Sequence, residues 1–543
     1  MPMNHRLLRP RASRSVAGFD PAAAAYITAV EAADGQALET GVRDAINTFI
    51  TGCKSDGIWS AIKASCILMG ARTLAGALTP LAGAAPTNNN FVSGDYSRRA
   101  GLKGNGSNKT LNSNRANNAD DKDNCHAYAY VSGAPGNLTI NGVFGAGWYA
   151  GNDRFLAWVD QANNLVYTSA NNAAQNITQA TRSIGGWGVA RSGASSWEWM
   201  HGTTPYARSE ASVTPASGNV LFFTAGNVGA SAKRMAFYSL GANLSLATLH
   251  ARVSTFYNAI GVVIVPQVSN ADAQDWLNRV YDNGGTVSAT TASAVNTFCN
   301  AIDAAGIRDR FYRLNLFCGN SDASLIAVRT PLYRSQVPGG TQHGNDIDTN
   351  NNFVAGDYSE SGENGGLTGN GTNKFLNTGL VISDSGIMPN GHVGVMRGPH
   401  SASLAARTLI GTVNGAFSQF YNIGVNAAGT SYENYYGGTQ QTPGPGLTAQ
   451  PASNALIITQ RTATNSGGTY FNGSLTTSSS IVSAATSQGA VFVFARSNAG
   501  AAAGHSPITL RAYSIGTPFS AAQESSYRSA LFSFFASIGR VYV

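Results

Sequence analysis

Four side chains between Asn345 and Asp357 could do metal chemistry. Asp346, Asp348, Asn350 and Asp357 are hard oxygen donors of the kind that hold calcium. The run NDIDTNNN lacks the glycine that an EF-hand loop carries at its sixth position. A matching stretch earlier in the chain has Ala84 and Pro86 where Asp346 and Asp348 stand, so any calcium belongs to the later stretch alone.

Other candidate chemistry is thinner. GNGSNKT at Gly104 has glycines, Lys109 and Thr110, but the lysine does not follow a glycine, and a turn accounts for it better than a phosphate loop. There is no G-x-S-x-G elbow and no H-E-x-x-H pair. The eight histidines look scattered, with no counterparts between the two halves of the chain. A glycosidase needs two facing acids, and no second acid accompanies Asp95 and Asp357 in both halves. These absences read as a chain that is not an enzyme, with a capsule or lipopolysaccharide depolymerase as the catalytic alternative. The five cysteines, Cys53, Cys66, Cys125, Cys299 and Cys318, have no metal-ligand spacing and read as small buried thiols.

Three segments could recognise something. In SSWEWMHG, strand alternation puts Trp197 and Trp199 on one face with Glu198 opposite, as a platform for a sugar ring or a neighbouring subunit if exposed, and as core if not. SYENYYGG, with Tyr432, Tyr435 and Tyr436, reads as a contacting loop. Arg6, Arg9, Arg11 and Arg14 form a basic arm without acids, suited to docking on an acidic protein partner more than on nucleic acid. No apolar core follows these arginines, unlike a secretory signal, and no apolar run has the length of a membrane span.

The elements that position these residues are written twice. TNNNFVSGDYS at Thr87 returns as TNNNFVAGDYS at Thr349, with one residue changed in eleven. Upstream, AINTFITGCKSDGI at Ala45 faces AVNTFCNAIDAAGI at Ala294. Ile46, Phe49, Ile50 and Cys53 lie at i, i+3, i+4 and i+7, as do Val295, Phe298, Cys299 and Ile302, which predicts amphipathic helices ending at Gly57 and Gly306. Asp20 with Pro21, and Asn270 or Asp272, can start the helices before them. Downstream, GNGSNKTLNS answers GNGTNKFLNT, and short alternating runs such as HAYAYV, RFLAWV, HVGVM and NALIITQR predict strand after strand. Each half closes with a helix, Ser245 to Ile260 and Ser520 to Ile538. In the duplicated loop, Asn side chains are expected to bond nearby backbone, Phe91 and Phe353 to anchor, Gly94 and Gly356 to turn, and Asp95 and Asp357 to accept hydrogen bonds.

Charged residues make up only 12% of the chain, so its surface is built from Asn, Ser, Thr and Gly, and 62 glycines serve many turns. Lys and Arg outnumber Asp and Glu 21 to 14 up to Val265 and balance 14 to 14 beyond, which sums to the formal charge of +7.

The residues Met200, His201, Gly202, Tyr238, Gly241 and Ser245, answered by Phe471, Asn472, Gly473, Tyr513, Gly516 and Ser520, resemble laminin G-like or concanavalin A-like jelly-roll modules. The wording RLLRPRAS, TNNNFVSGDY and LTGNGTNKFLNTGL is similar to tailed-bacteriophage virion proteins. The resemblance implies a virion component, assembled in the bacterial host, with other virion proteins and copies of itself as partners and host glycans as a further possible ligand. It implies no cofactor beyond the calcium considered above. The resulting expectation is an α+β, mainly β protein of two tandem modules, each a helical hairpin, an antiparallel jelly-roll sandwich and a closing helix. Its segments are an arm at 1–19, helical stretches at 20–84 and 266–335, and sandwiches at 85–265 and 336–543.

Overall fold

The computed structural model describes residues 18–540 except 134–139, 147–153, 161–164, 174–175, 180–183, 227–228, 320–323, 383–389, 400–406, 414–419, 426–431, 438, 442–453, 464–465 and 479–488. The chain divides into two compact units, Met1–Val265 and Pro266–Val543. Pro266, which cannot continue a helix, marks the border.

Eight α-helices are described: α1 Pro21–Asp34, α2 Thr40–Ser55, α3 Leu74–Ala77, α4 Leu246–Ile264, α5 Ala271–Asp282, α6 Ala289–Ala304, α7 Ile326–Arg329 and α8 Ala521–Ser537. Their ends follow local chemistry. The Asp20 carboxylate accepts from Ala22 N–H ahead of Pro21, and Ser520 and Gln523 form a reciprocal capping box. Gly57 and Gly306 take φ of 73° and 63° after α2 and α6, with Ile58 N–H reaching back to Cys53 O and Ile307 N–H to Ile302 O.

The first unit holds a nine-stranded and a seven-stranded sheet, the second an eight-stranded and a nine-stranded one. Among the described residues the sheets are antiparallel but for one parallel pair, Gly411–Val413 with Arg496–Asn498. In the first unit the strand Arg234–Gly241 lies between Cys125–Gly133 and Ile62–Ile67. In the second, Thr509–Gly516 lies between Gly391–Arg397 and Phe311–Asn315. These central strands are buried at every position, because helices cover one face of their sheet and the second sheet covers the other. Alternating polarity is therefore lost where the fold is thickest.

The helical stretch of the first unit has no core of its own. Ala23, Ile27, Ile46 and Phe49 belong to one cluster with Phe237, Tyr238 and Phe256, so the hairpin and the sandwich fold as one body. Gly241 and Gly516 show how tightly helix-side chain and sheet approach. A Cβ would lie 2.0 Å from Ala61 O at the first and 1.8 Å from Arg310 O at the second.

Candidate functional site

The duplicated loop builds the same corner in both units. Phe91 N–H donates to Asn88 Oδ1 at 2.9 Å and Asn88 Nδ2 donates back to Phe91 O at 3.0 Å; Asn350 brackets Phe353 at 2.9 and 2.8 Å. The bracketed rings meet Phe223 and Phe494 edge-on at 4.9 and 5.0 Å. Asp95 accepts from Val92 N–H and Asp357 from Val354 N–H, as the sequence led one to expect.

Two features of the corner add to the expectation. Asn90 and Asn352 take φ of 70° and 69°, and Gly94 and Gly356 sit, as expected, in tight turns at Ser93–Asp95 and Ala355–Asp357, with no positive φ. The GNG-NK segment is a turn, in which Asn105 Oδ1 accepts from the N–H groups of Ser107, Asn108 and Lys109, as Asn370 does from Thr372, Asn373 and Lys374. It also delivers a lysine: Lys109 Nζ pairs with Asp95, and Lys374 Nζ with Asp357 at 2.6 Å. The acid and the base of this pair lie in separately duplicated motifs, which was the available signal.

The four calcium candidates are not brought together. Asp348 is fully buried against Arg313 and Tyr513, Asp346 pairs with Arg334, Asn350 brackets Phe353, and Asp357 holds Lys374. Each carboxylate is already neutralised by a protein cation, and no cluster of three or more His, Cys, Asp or Glu occurs among the described residues. The expectation of a calcium loop is corrected accordingly.

The aromatic candidates also move. Trp197 and Trp199 are 3% and 1% exposed, so neither indole is a free platform. Glu198 points oppositely and accepts from Leu246 N–H at 3.0 Å, placing a carboxylate at the positive end of α4. Tyr432, Tyr435 and Tyr436 lie in a strand, Tyr432–Gly437, paired with Phe420–Val425, and not in a loop; their side-chain surroundings lie outside the described residues. Arg6, Arg9, Arg11 and Arg14 lie outside the described residues as well. All five cysteines are free and buried, and burial pushes the Cys53, Cys125 and Cys299 thiols up to about 12.

Two of the eight histidines are counterparts after all. His126 and His392 stand opposite Gly241 and Gly516 in the same register. His126 Nδ1 lies 2.6 Å from Ala242 O and Nε2 2.8 Å from Ser239 Oγ; His392 meets Thr517 O at 2.7 Å and Ser514 Oγ at 3.0 Å. A carbonyl only accepts, so Nδ1 carries a proton. Burial pushes both pKa values down to about 4. These are structural histidines, and the runs HAYAYV and HVGVM, which both open with them, contained the clue.

A second duplicated feature lies on the helices. Between α6 and α8 runs a cleft of about 610 Å³, floored by Phe298 and Phe534 and walled by Ser293, Thr297, Ser529 and Ser533. Between α2 and α4 the first unit has a smaller cleft of about 240 Å³ over Phe49 and Phe256. The floor pairs correspond, with ring centroids 5.5 Å apart in the first unit and 5.9 Å in the second. In the first unit the Arg252 side chain crowds Gly52 and pairs with Asp56, and Asp44 joins the lining. Ala530, Ala301, Ala305 and Ser293 take the places of Arg252, Gly52, Asp56 and Asp44 in the second. The later cleft is therefore larger, and among the described residues no ionisable side chain lines it.

No protein family and no curated protein matches the chain. Solved structures do match in part. NanB sialidase from Streptococcus pneumoniae, in a point-mutant form, aligns at 14% identity over 30% of this chain and 27% of its own, with a TM-score of 0.23. Trypanosoma rangeli sialidase with 2,3-difluorosialic acid aligns at 9% identity over 73% of this chain and 62% of its own, TM-score 0.29. The enzymatically active domain of tailspike protein 2 from bacteriophage CBA120 aligns at 12% identity over 32% and 29%, TM-score 0.22. The expectation that the chain is not an enzyme is corrected by these matches, because the solved structures it is similar to are sialidases and an enzymatically active tailspike domain. At these TM-scores the likeness assigns no activity, and what is established is the mainly β architecture of two tandem units.

Proposed function

We propose that the chain is a component of a tailed-phage particle that assembles through protein–protein contacts, with the α6–α8 cleft as a docking surface. The observation that carries this reading is the cleft's chemistry. A helix face turned to water normally carries charge; here Ser293, Thr297, Ala301, Ser529, Ser533 and Ser537 face outward over two phenylalanines with no ionisable group among the lining. Depletion of charge at the centre of a patch marks protein interfaces. The resemblance of the duplicated motifs to phage virion proteins supplies the setting. An unpaired charge buried at an interface costs about 3 kcal/mol or more, so Ser533→Glu is expected to lower incorporation into particles about 100-fold while circular dichroism stays unchanged. Incorporation at the wild-type level would reject the reading.

One observation favours a second reading, attachment to a surface glycan. Tyr206 is 44% exposed and stacks at 4.7 Å on the buried Trp199, which holds its ring in place. A fixed aromatic with a free face suits the apolar face of a sugar ring. Under this reading Tyr206→Ala removes glycan-array binding at least about tenfold, a loss of 1.4 kcal/mol, and an unaltered or absent signal from the wild-type chain counts against it.

A further inference from the structure

The duplicated corner keeps two residue pairs that nothing inside either unit explains. Most of its residues are accounted for: the asparagines bracket and turn, the phenylalanines anchor, and aspartate meets lysine. Val92 and Val354 are different, being 59% and 57% exposed, among the most exposed large apolar side chains described. Gly94 and Gly356 are different too. Neither has positive φ, and a Cβ built on either would meet no atom within 4 Å, so the unit itself does not require glycine there. Between them stands the one position of the eleven that changed, Ser93 in one copy and Ala355 in the other, small in both.

A valine kept exposed and a glycine kept bare, twice, fit a surface that another body approaches closely. The apex is also rigid. Asp95 and Asp357 hold the N–H groups of Val92 and Val354, and each carboxylate is neutralised by its lysine. A preformed tip loses little entropy on docking, and this one presents no uncompensated charge. It suits a receptor without charge.

We infer that Val92–Gly94 and Val354–Gly356 are docking knobs, and that they seat in the α6–α8 cleft of a second copy of this chain. The inference rests on the assembly reading of that cleft and names its occupant. The matching lack of charge selects a second copy. The apex is apolar with its only acid paired, and the cleft has a phenylalanine floor and no ionisable lining, so neither desolvates an unpaired charge when they meet. Knob and cleft are separate surfaces of one chain, so the contact joins two copies reciprocally about a two-fold axis or many copies head to tail.

Sedimentation velocity of the full chain over a range of concentrations tests it. The wild type is expected to form dimers or larger species as concentration rises. Gly94→Leu with Gly356→Leu is expected to leave thermal stability unchanged, since both sites open to empty space, yet to weaken association at least about tenfold, the equivalent of 1.4 kcal/mol. Val92→Asp with Val354→Asp is expected to do the same. Val354→Cys with Ser533→Cys is expected to give disulfide-linked multimers under oxidation, against a wild-type background in which all five cysteines are buried. A monomer at every concentration, association indifferent to both knob variants, or no interchain cross-link would each overturn the inference. If Ser533→Glu still blocks incorporation into particles while the knob variants associate normally, the cleft remains a docking surface and only its occupant is wrong.

Discussion

Asp348→Ala is expected to destabilise the second unit by about 3–5 kcal/mol, because it leaves the Arg313 guanidinium buried without a counter-charge. Arg313 and Asp348 are both completely buried, 2.6 Å apart, within a satisfied network. Tyr513 O–H donates to Asp348, Arg313 Nε donates to Tyr513 Oη, and Asn315 Nδ2 reaches the second carboxylate oxygen. The first unit shows that the pair is replaceable as a whole. Arg313 pairs with Ile515 in the sheet as Ala64 pairs with Leu240, so alanine occupies the arginine position there, and Pro86 occupies that of Asp348. Arg313→Met combined with Asp348→Ala is accordingly expected to cost less than Asp348→Ala alone, because no buried charge remains. Chemical denaturation of the four members of this cycle measures the coupling. Additive losses would show that Arg313 and Asp348 do not act as a pair.

Acid is expected to weaken both units between pH 6.5 and pH 4 through His126 and His392. Each folded-state pKa, about 4, lies below the ordinary histidine value of 6.5. The unfolded chain therefore takes up the proton first, and stability falls as pH drops from 6.5 towards 4, then levels off. A difference of about 2.5 between 6.5 and 4, at 1.36 kcal/mol each, amounts to about 3 kcal/mol per histidine. Above pH 6.5 both states hold a neutral ring and the contribution is constant. His126→Gln with His392→Gln is expected to flatten this part of the profile, in urea titrations repeated from pH 7 to pH 4. A double variant that keeps the wild-type slope would assign the acid sensitivity to the carboxylates instead.

Much of this was legible because it is local. Asp20 before Pro21, Gly57 and Gly306 after their helices, and Ser520 with Gln523 act within a turn of the chain, where neighbours in sequence are neighbours in space. Asn88 and Asn350 bracket a residue three positions on, so the Asn-rich loop could be read as a self-bonding turn. The candidate site was less legible. Lys109 reaches Asp95 across 14 positions and Lys374 reaches Asp357 across 17, through a fold that no window of residues contains. Asp346, Asp348 and Asp357 have the spacing of a cation loop, but three separate cations, from Arg334, Arg313 and Lys374, claim them one by one. The equivalence of His126 and His392 was hidden by unequal insertions between the halves, and strand register made it visible.

The amino-acid order alone determined that one α-plus-β unit is written twice, where most of its helices begin, and which runs form strands, since periodicity and end-capping depend on residues within a few positions of each other. Only the tertiary structure decided which faces are buried. Trp197 and Trp199 became core, Val92 and Val354 stayed in solvent, and two helices closed over a cleft without charge. Burial is a property of what packs across from a residue, and that partner is brought there by sheets and helices drawn from the whole length of each unit.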